Sequence, residues 1–326
     1  MSSNRESRFP YLEWVIIFML ANTLAVLAYI GGHAFTFGDF IALGYKAAVL
    51  GIVALGVLVV FYVNEYDFSV GSIFALCLIT VVSLERWISP LVTWVLVFGL
   101  IGLIGYVNGW FTATLRSGLL ITFVMMFILQ GISDFLSNGM SITHVVSTQG
   151  SLLYAIGWQS FLGLPIATWV FFGMAMGLHV FFYHSTWGRS IRAIGIDNRV
   201  AQDGGLNTRA YKIGAFIFAA EMAGIASILY YARLQTVNPD LGVSIPFDAL
   251  AIVIISNGGT KRRAPSLVRL LIVTFLLAEI YTQIEVLGLL PNTRFLLTGF
   301  LILYTLLLRH VRSSDQIEEE RRIIYG

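Results

Sequence analysis

Residues 44–63, GYKAAVLGIVALGVLVVFYV, decide how the rest of the chain reads. Lys46, near the start, is the only charged residue in the run. A helix that crosses the hydrocarbon core of a bilayer needs about 20 consecutive, mostly apolar residues, and this run has that length. A soluble protein could hide one such helix but not a chain built from them. Of the 326 residues, 57% are apolar and 12% are charged, against roughly 25% charged in soluble domains. The mean hydropathy is +0.82. The composition therefore specifies an integral membrane protein and excludes a soluble enzyme, a nucleic-acid binder and a disordered scaffold. The net charge of +2 identifies no acidic partner, because in a membrane protein the placement of charge matters more than its sum.

Similar runs lie near 14–31, 91–109, 119–137, 164–184, 212–231, 267–285 and 293–309. Two weaker ones are 69–84 (SVGSIFALCLITVVSL), which opens with small polar residues, and 246–257 (PFDALAIVIISN), too short for a plain span. Interrupted apolar segments of this kind are tolerated where they pack inside protein or line a cavity. Counting both predicts an all-α polytopic protein of about ten crossings. With the N-terminus inside, only Lys46, Arg86, Arg233 and Arg294 of the 20 Lys and Arg residues fall outside, as the positive-inside rule requires. Both termini are then cytoplasmic. The expected organisation is a polar segment over 1–13, one transmembrane domain over 14–309 whose first helix is retained, and a tail over 310–326 that is either a short helix or a frayed end. The outer loop 138–163 has no charge apart from any on His144, and the inner loop 185–211 is long and basic.

The chain contains no G-x-x-x-x-G-K-[ST], so it cannot cradle ATP phosphates by a P-loop, and it has no H-E-x-x-H or G-x-S-x-G. The single cysteine, Cys77, excludes a disulfide framework and a cysteine-based zinc site. His179 and His184 are five residues apart and miss a shared helical face. The residues predict neither an enzyme site nor a metal site. In the inner loop, STWGRSIRAIGIDNRVAQDGGLNTRAY, Asp197 is a good N-cap for about two turns over Asn198 to Asp203. Gly204-Gly205 can end those turns through a left-handed residue. Such a unit could be a rigid cytoplasmic knob carrying Arg192 and Arg199; it could also be a basic loop that fixes topology and meets anionic lipid.

Gly188-Arg189-Ser190-Ile191-Arg192-Ala193-Ile194-Gly195, followed by Asp197-Asn198 and Gly205-Leu206-Asn207, resembles the cytoplasmic signature of the permease subunits of sugar ABC importers. These are the ribose, xylose and galactose type, related to branched-chain amino acid permeases. Further landmarks follow in order from about residue 40 to 309. They are Asn64-Glu65-Tyr66-Asp67-Phe68-Ser69-Val70-Gly71-Ser72, Asn108-Gly109, Leu119 to Gly131, Ala232-Arg233, Pro239, Asp248-Ala249-Leu250-Ala251 and Gly258-Gly259-Thr260. The chain departs from that pattern at Glu65-Tyr66 (the family has Gly-Ile), at Arg199-Val200 (an alanine pair) and at Lys261-Arg262-Arg263-Ala264-Pro265 (a Gly-rich stretch).

The resemblance implies a permease subunit of an ATP-driven importer in a bacterial inner membrane, moving a small polar solute such as a monosaccharide or polyol by alternating access. It implies as partners a second permease chain, identical or not, two ATPase subunits and a soluble substrate-binding protein. No cofactor is expected on this chain, because ATP would be used by the ATPase subunits. It assigns ATPase coupling to the loop carrying Gly188, Arg189, Arg192, Gly195, Asp197, Asn198, Arg199 and Gly205. Asp67, Ser69 and Gly71 open a weak helix, where either packing or the translocation path would explain them. Asp248 stands at membrane depth, and path lining and helix capping after Pro246 both remain open. Two other functions are compatible with the residues. One is a gradient-driven transporter coupled through Glu221, Glu279 or Asp134; the other is a diverged partner subunit that does not transport.

Overall fold

The computed structural model describes residues 36–143, 152–234, 236–257, 266–290 and 293–305, together with Asn22, Ala25, Tyr29 and Leu307. Apart from Asn22, Ala25 and Tyr29, the expected first span 14–31 lies outside the described residues, as do the Gly258-Gly259-Thr260 and 261–265 segments and the tail 310–326.

The helices, in chain order, are α1 (Phe37–Tyr62), α2 (Val70–Leu84), α3 (Pro90–Leu115), α4 (Gly118–Ser137), α5 (Leu152–Trp158), α6 (Ile166–His184), α7 (Thr186–Ile196), α8 (Asn198–Asp203), α9 (Thr208–Leu234), α10 (Ile245–Ser256), α11 (Leu267–Val286) and α12 (Thr293–Thr305). A 3-10 turn over Pro239–Gly242 leads into α10. Two short antiparallel ties complete the backbone: Ile142–Thr143 with Thr236–Val237, and Ser160–Phe161 with Leu164–Pro165.

The quoted run forms α1, and α1 is the axis of the molecule. It starts at a capping box in which Thr36 and Asp39 exchange side-chain and backbone hydrogen bonds. From Leu43 to Tyr62 every side chain except that of Lys46 is buried. Helices α6, α9, α10 and α11 pack around it, and α7 meets its C-terminal end. Lipid tails are as apolar as leucine, so helices in a membrane associate through close fit and polar contacts. Small residues supply the close fit here. A Cβ on Gly56 would lie 2.9 Å from the Cα of Ala219 in α9, and one on Gly51 would enter the ring of Phe171 in α6. On α3, Gly105 and Gly109 stand four apart, and a Cβ on either would come within 2.8 and 2.6 Å of Ile217 and Ile213 Cα of α9.

Among the described residues, seven helical stretches have the length and hydropathy of a membrane span: α1, α3, α4, α6, α9, Pro239–Ser256 and α11. The protein is therefore an all-α polytopic membrane protein. The two weak segments differ from plain spans for separate reasons. The 69–84 run yields a 15-residue helix, α2, which is buried along nearly its whole length. The 246–257 run is lengthened by the 3-10 turn before it to an 18-residue stretch. The loop expected over 138–163 contains α5, because Leu153 is apolar enough to bury and Gly157 has no side chain to keep it from the Ala232 backbone. Helices α3 and α4 bury only 22% and 17% of their central windows, against 94% for α1. Their large apolar side chains face outward, as for a helix that meets lipid or another chain.

The tightest backbone approach is between Gly71, at the start of α2, and Gly242 in the 3-10 turn, where a Cβ on either would overlap the other's carbonyl. We expect Gly71→Ala to lower the yield of monodisperse protein in detergent sharply. Gly99→Ala, where a Cβ meets nothing within 4 Å, is expected to leave the yield unchanged. Size-exclusion chromatography of the two variants side by side checks this.

Candidate functional site

At one end of the bundle the chain leaves α6 through an amphipathic, capped unit. Ser185 ends α6 and starts α7: its hydroxyl donates to Phe181 O (2.6 Å) and accepts from the Gly188 N–H (2.9 Å). Gly188 sits against the Phe181 backbone and Gly195 against Tyr62 O at the end of α1, where a Cβ would lie 2.7 Å away. Both glycines press α7 onto the bundle. Asp197 caps α8, its Oδ1 accepting from the N–H groups of Arg199 (2.8 Å) and Val200 (3.1 Å). Gly205, at φ +85°, ends α8 in the left-handed region that glycine enters without a Cβ penalty. The exposed edge of this unit carries Arg189, Ile196, Arg199 and Val200. Ile196 and Val200 are 61% and 67% exposed. Arg192 is held back, with its guanidinium 5.1 Å from the Tyr183 ring centroid.

Beneath this unit lies a polar hub made by the turn between α1 and α2. Asn64, in the left-handed region at φ 65°, donates its side-chain amide to Ile194 O (2.6 Å), near the C-terminal end of α7. Glu65 pairs with Lys212 of α9 and accepts the Gly118 N–H at the start of α4 (3.2 Å). One carboxylate thus joins the α1–α2 turn, the helix that follows the loop and the N-terminus of α4, where a negative charge is favoured. Deeper in, Asp67 Oδ1 accepts from Ser69 N (2.8 Å) and Ser69 Oγ (2.6 Å), and Asn108 Nδ2 donates to Ser69 Oγ (2.7 Å). All three are fully buried. Burial pushes the Asp67 carboxyl up to about 6, against the opposing pull of the Ser69 hydrogen bonds.

At the opposite end is a cavity of about 580 Å³ between α1, α2, α9, α10 and α11. Lys46 of α1 and Glu285 of α11 form an ion pair on its wall (2.7 Å). Asp248, on α10, accepts from Tyr281 of α11 (2.8 Å) through Oδ1, and Tyr281 also contacts Thr298 of α12 (2.7 Å). Arg233 donates to Gly157 O (3.1 Å), and its guanidinium lies 5.2 Å from the ring centroids of both Tyr45 and Trp158.

The predicted coupling residues Gly188 to Gly205 therefore come together in one capped unit. Asp67 and Ser69 join a buried network below it, Gly71 is a close-packing glycine, and Asp248 stands some distance away, on the cavity. Glu221 makes no hydrogen bond among the described residues; its carboxylate lies over Gly102 of α3. Sequence reasoning treated Lys46 and Arg294 only as markers of topology, and Arg233 as such a marker and part of the Ala232-Arg233 landmark; it did not anticipate the partners of Lys46, Glu65 or Lys212. The one signal for Glu65 was its departure from glycine. For the Lys46–Glu285 pair, 239 residues apart in sequence, there was none.

The chain is thus a bundle of apolar spans with a capped basic unit at one end and, at the other, a cavity with charged side chains on a largely apolar wall, and the family it belongs to makes it a membrane permease. The chain belongs to the family described as branched-chain amino acid transport system / permease component, whose profile matches residues 40–306. It is 28% identical over 291 residues to the ribose import permease protein of Haemophilus influenzae, covering 85% of this chain and 88% of that one. It is 26% identical over 273 residues to the ribose import permease protein of Escherichia coli K12 (81% and 84% covered). It is 22% identical over 272 residues to the L-arabinose transport system permease protein of the same strain (82% and 81%). No solved structure matches the chain.

The Glu65 and Lys212 side chains are only 11% and 12% exposed. Removing one partner of a buried pair costs about 3–5 kcal/mol, because the other charge is stranded, whereas removing both costs far less. Lys212→Met is expected to lower the melting temperature in detergent strongly, and Glu65→Gln/Lys212→Met is expected to recover most of the loss.

Proposed function

We propose that this chain is the membrane-spanning subunit of an ATP-driven importer and that it passes a monosaccharide or a similar small neutral polyol across the membrane by alternating access. The observation that carries the reading is the capped unit α7–α8, pressed onto α1 by Gly195 and held there by Asn64, with Arg199 and Val200 on its free edge. The names of the ribose and arabinose permeases it resembles support the substrate class. In this reading the subunit pairs with a second permease chain, identical or related, and receives its solute from a soluble binding protein. Two ATPase subunits dock on α8.

The work done is mechanical. ATP favours one arrangement of the ATPase pair, and a differential affinity of that kind is what can shift the permease between two states. A push on α8 reaches α1 through Gly195 and Asn64, and reaches α9 and α4 through Lys212 and Glu65. The chain itself contributes no covalent step. The topology proposed is ten crossings with both termini cytoplasmic, which puts the α7–α8 unit inside and the cavity at the outer face.

Charge reversal at Arg199, and Gly205→Pro, which cannot adopt the φ of +85° found there, are expected to abolish co-purification of the ATPase subunits and ATP-dependent uptake. Membrane insertion is expected to remain at the wild-type level. Variants that retain the ATPase subunits and uptake would overturn the coupling role.

A reporter fused after Gly204 is expected to be active only in the cytoplasm, and one fused after Gly150 only outside. The reverse pattern would overturn the ten-crossing topology.

A further inference from the structure

The turn that leads into α6 carries an apolar tip in a backbone conformation that leucine disfavours. Ser160–Phe161 and Leu164–Pro165 pair antiparallel, and Leu162 and Gly163 close them at φ 51° and 79°. A two-residue turn with positive φ at both positions prefers asparagine, aspartate or glycine at the first. Leucine stands there instead, and its side chain is 77% exposed. Phe161 beside it is 60% exposed, and Trp158 51%. A left-handed leucine with a bare side chain is not rewarded by packing within the fold, so what favours it lies outside the fold.

Position, continuity and charge all point to lipid. Helix α6 runs 19 residues from Ile166, roughly 28 Å at 1.5 Å per residue, close to the thickness of the hydrocarbon core. The α7–α8 unit leaves one end of α6, so the hairpin stands at the opposite hydrocarbon boundary. The hairpin is also fastened to the outward face of that helix. Trp169 donates its Nε1–H to Phe161 O (2.9 Å), and the two rings pack edge to face with centroids 5.9 Å apart. Trp169, Gly173, Met176 and Val180 follow at helical spacing on one exposed face, so the tip extends a surface that already meets lipid or another chain. No Lys, Arg, Asp or Glu occurs between Asp134 and Arg189. The hairpin therefore lacks the charged rim by which a soluble partner is matched. The cation that approaches it, Arg233, is turned inward onto Gly157 O and the Trp158 ring.

We propose that the Phe161–Leu162 tip is a lipid-binding foot, seated in the bilayer interface beside α6, with Leu162 among the first acyl methylenes and Trp158 and Trp169 at headgroup level. The contact is apolar and selects no headgroup charge. It fixes more than α6. Gly157, at the end of α5, lies against the Ala232 backbone of α9, and Arg233 and Leu234 just beyond line the cavity. The depth of the foot thus sets the depth of the α9 end on the cavity wall. The proposal goes beyond the importer reading and does not depend on it, since the foot serves whatever solute the chain moves.

The test uses the full-length chain in nanodiscs of phosphatidylethanolamine and phosphatidylglycerol. Cys77, the chain's only cysteine, is buried, so a single cysteine introduced at an exposed position takes a nitroxide label alone. Power-saturation EPR compares collision of the label with oxygen, which partitions into the bilayer, and with a nickel chelate, which stays in water. At Leu162→Cys oxygen is expected to dominate, as at Phe127→Cys on the exposed side of α4. At Gly204→Cys, exposed after α8, the chelate is expected to dominate. A nitroxide is itself apolar, so a second label at Gln159→Cys, exposed at the base of the hairpin, reads the native tip. Leu162→Asn suits the positive φ and keeps the turn. It is expected to swing the balance at the Gln159 label several-fold toward the chelate, whereas Leu162→Met is expected to leave it unchanged.

A label at Leu162 dominated by the chelate would overturn the proposal and leave a soluble partner as the occupant of the tip. A Gln159 label that ignores Leu162→Asn would overturn it too, because the tip would then not be what holds the hairpin to the lipid. Replacing phosphatidylglycerol by phosphatidylcholine is expected to leave both labels unchanged; loss of the oxygen preference at Leu162 on that exchange would replace apolar seating with attraction to an anionic headgroup and overturn the foot as described.

Discussion

The structure depends on a helix with no polar face. Once α1 is apolar on every side, its natural place is inside a ring of other helices, and its neighbours must come close without hydrophobic drive between them. Gly44, Ala47, Ala48, Gly51, Ala54 and Gly56 bring it close on successive faces. Thr168 of α6 donates to Gly44 O (2.9 Å), a contact that a larger residue at 44 would crowd. The outer helices α3 and α4 stay largely bare because each meets the bundle along a narrow stripe, Gly105 and Gly109 of α3 fitting against α9. Their freedom to meet lipid or a second chain follows from the centrality of α1.

Polar contacts then appear at the two ends of the bundle and on the buried turn between α1 and α2, and each has a mechanical meaning. Near α8, Asn64 and Glu65 tie one turn to α7, α9 and α4. A movement imposed on the basic unit cannot stay local, because the close-packed interior is nearly incompressible. At the far end, Asp248, Tyr281 and Thr298 join three helices around an open space, and the Lys46–Glu285 pair joins α1 to α11. The same helices, α1, α9 and α11, connect the two ends. Under the coupling proposed above, a rigid axis with polar joints at both ends would carry a push on α8 to the cavity at the other end.

The departures from the family pattern take on a different weight in three dimensions. Replacing glycine by Glu65 supplies an acceptor for Lys212 and for the Gly118 N–H, so lost backbone freedom is accompanied by a new ionic joint. Replacing the alanine pair by Arg199 and Val200 places a charge and an apolar side chain on the exposed edge of α8. Both features suit the ATPase-docking surface proposed for α8, since interfaces combine apolar contact with arginine.

Apolar run length and charge placement were local properties, so the sequence alone determined that the chain lies in a membrane, where most of its helices run and which loop carries the basic residues. The capping of α8 by Asp197 and its stop at Gly205 were equally legible, because caps act within a few residues. The sequence could not say that α1 rather than another run would be central, since α1, α3 and α4 have nearly the same hydropathy and only mutual fit buries the first and leaves the other two bare. It also could not reveal α5, the Glu65–Lys212 joint or the cavity walls. Those depend on side chains that are far apart in the chain and meet only when whole helices dock, and no periodicity within a single segment encodes such a meeting.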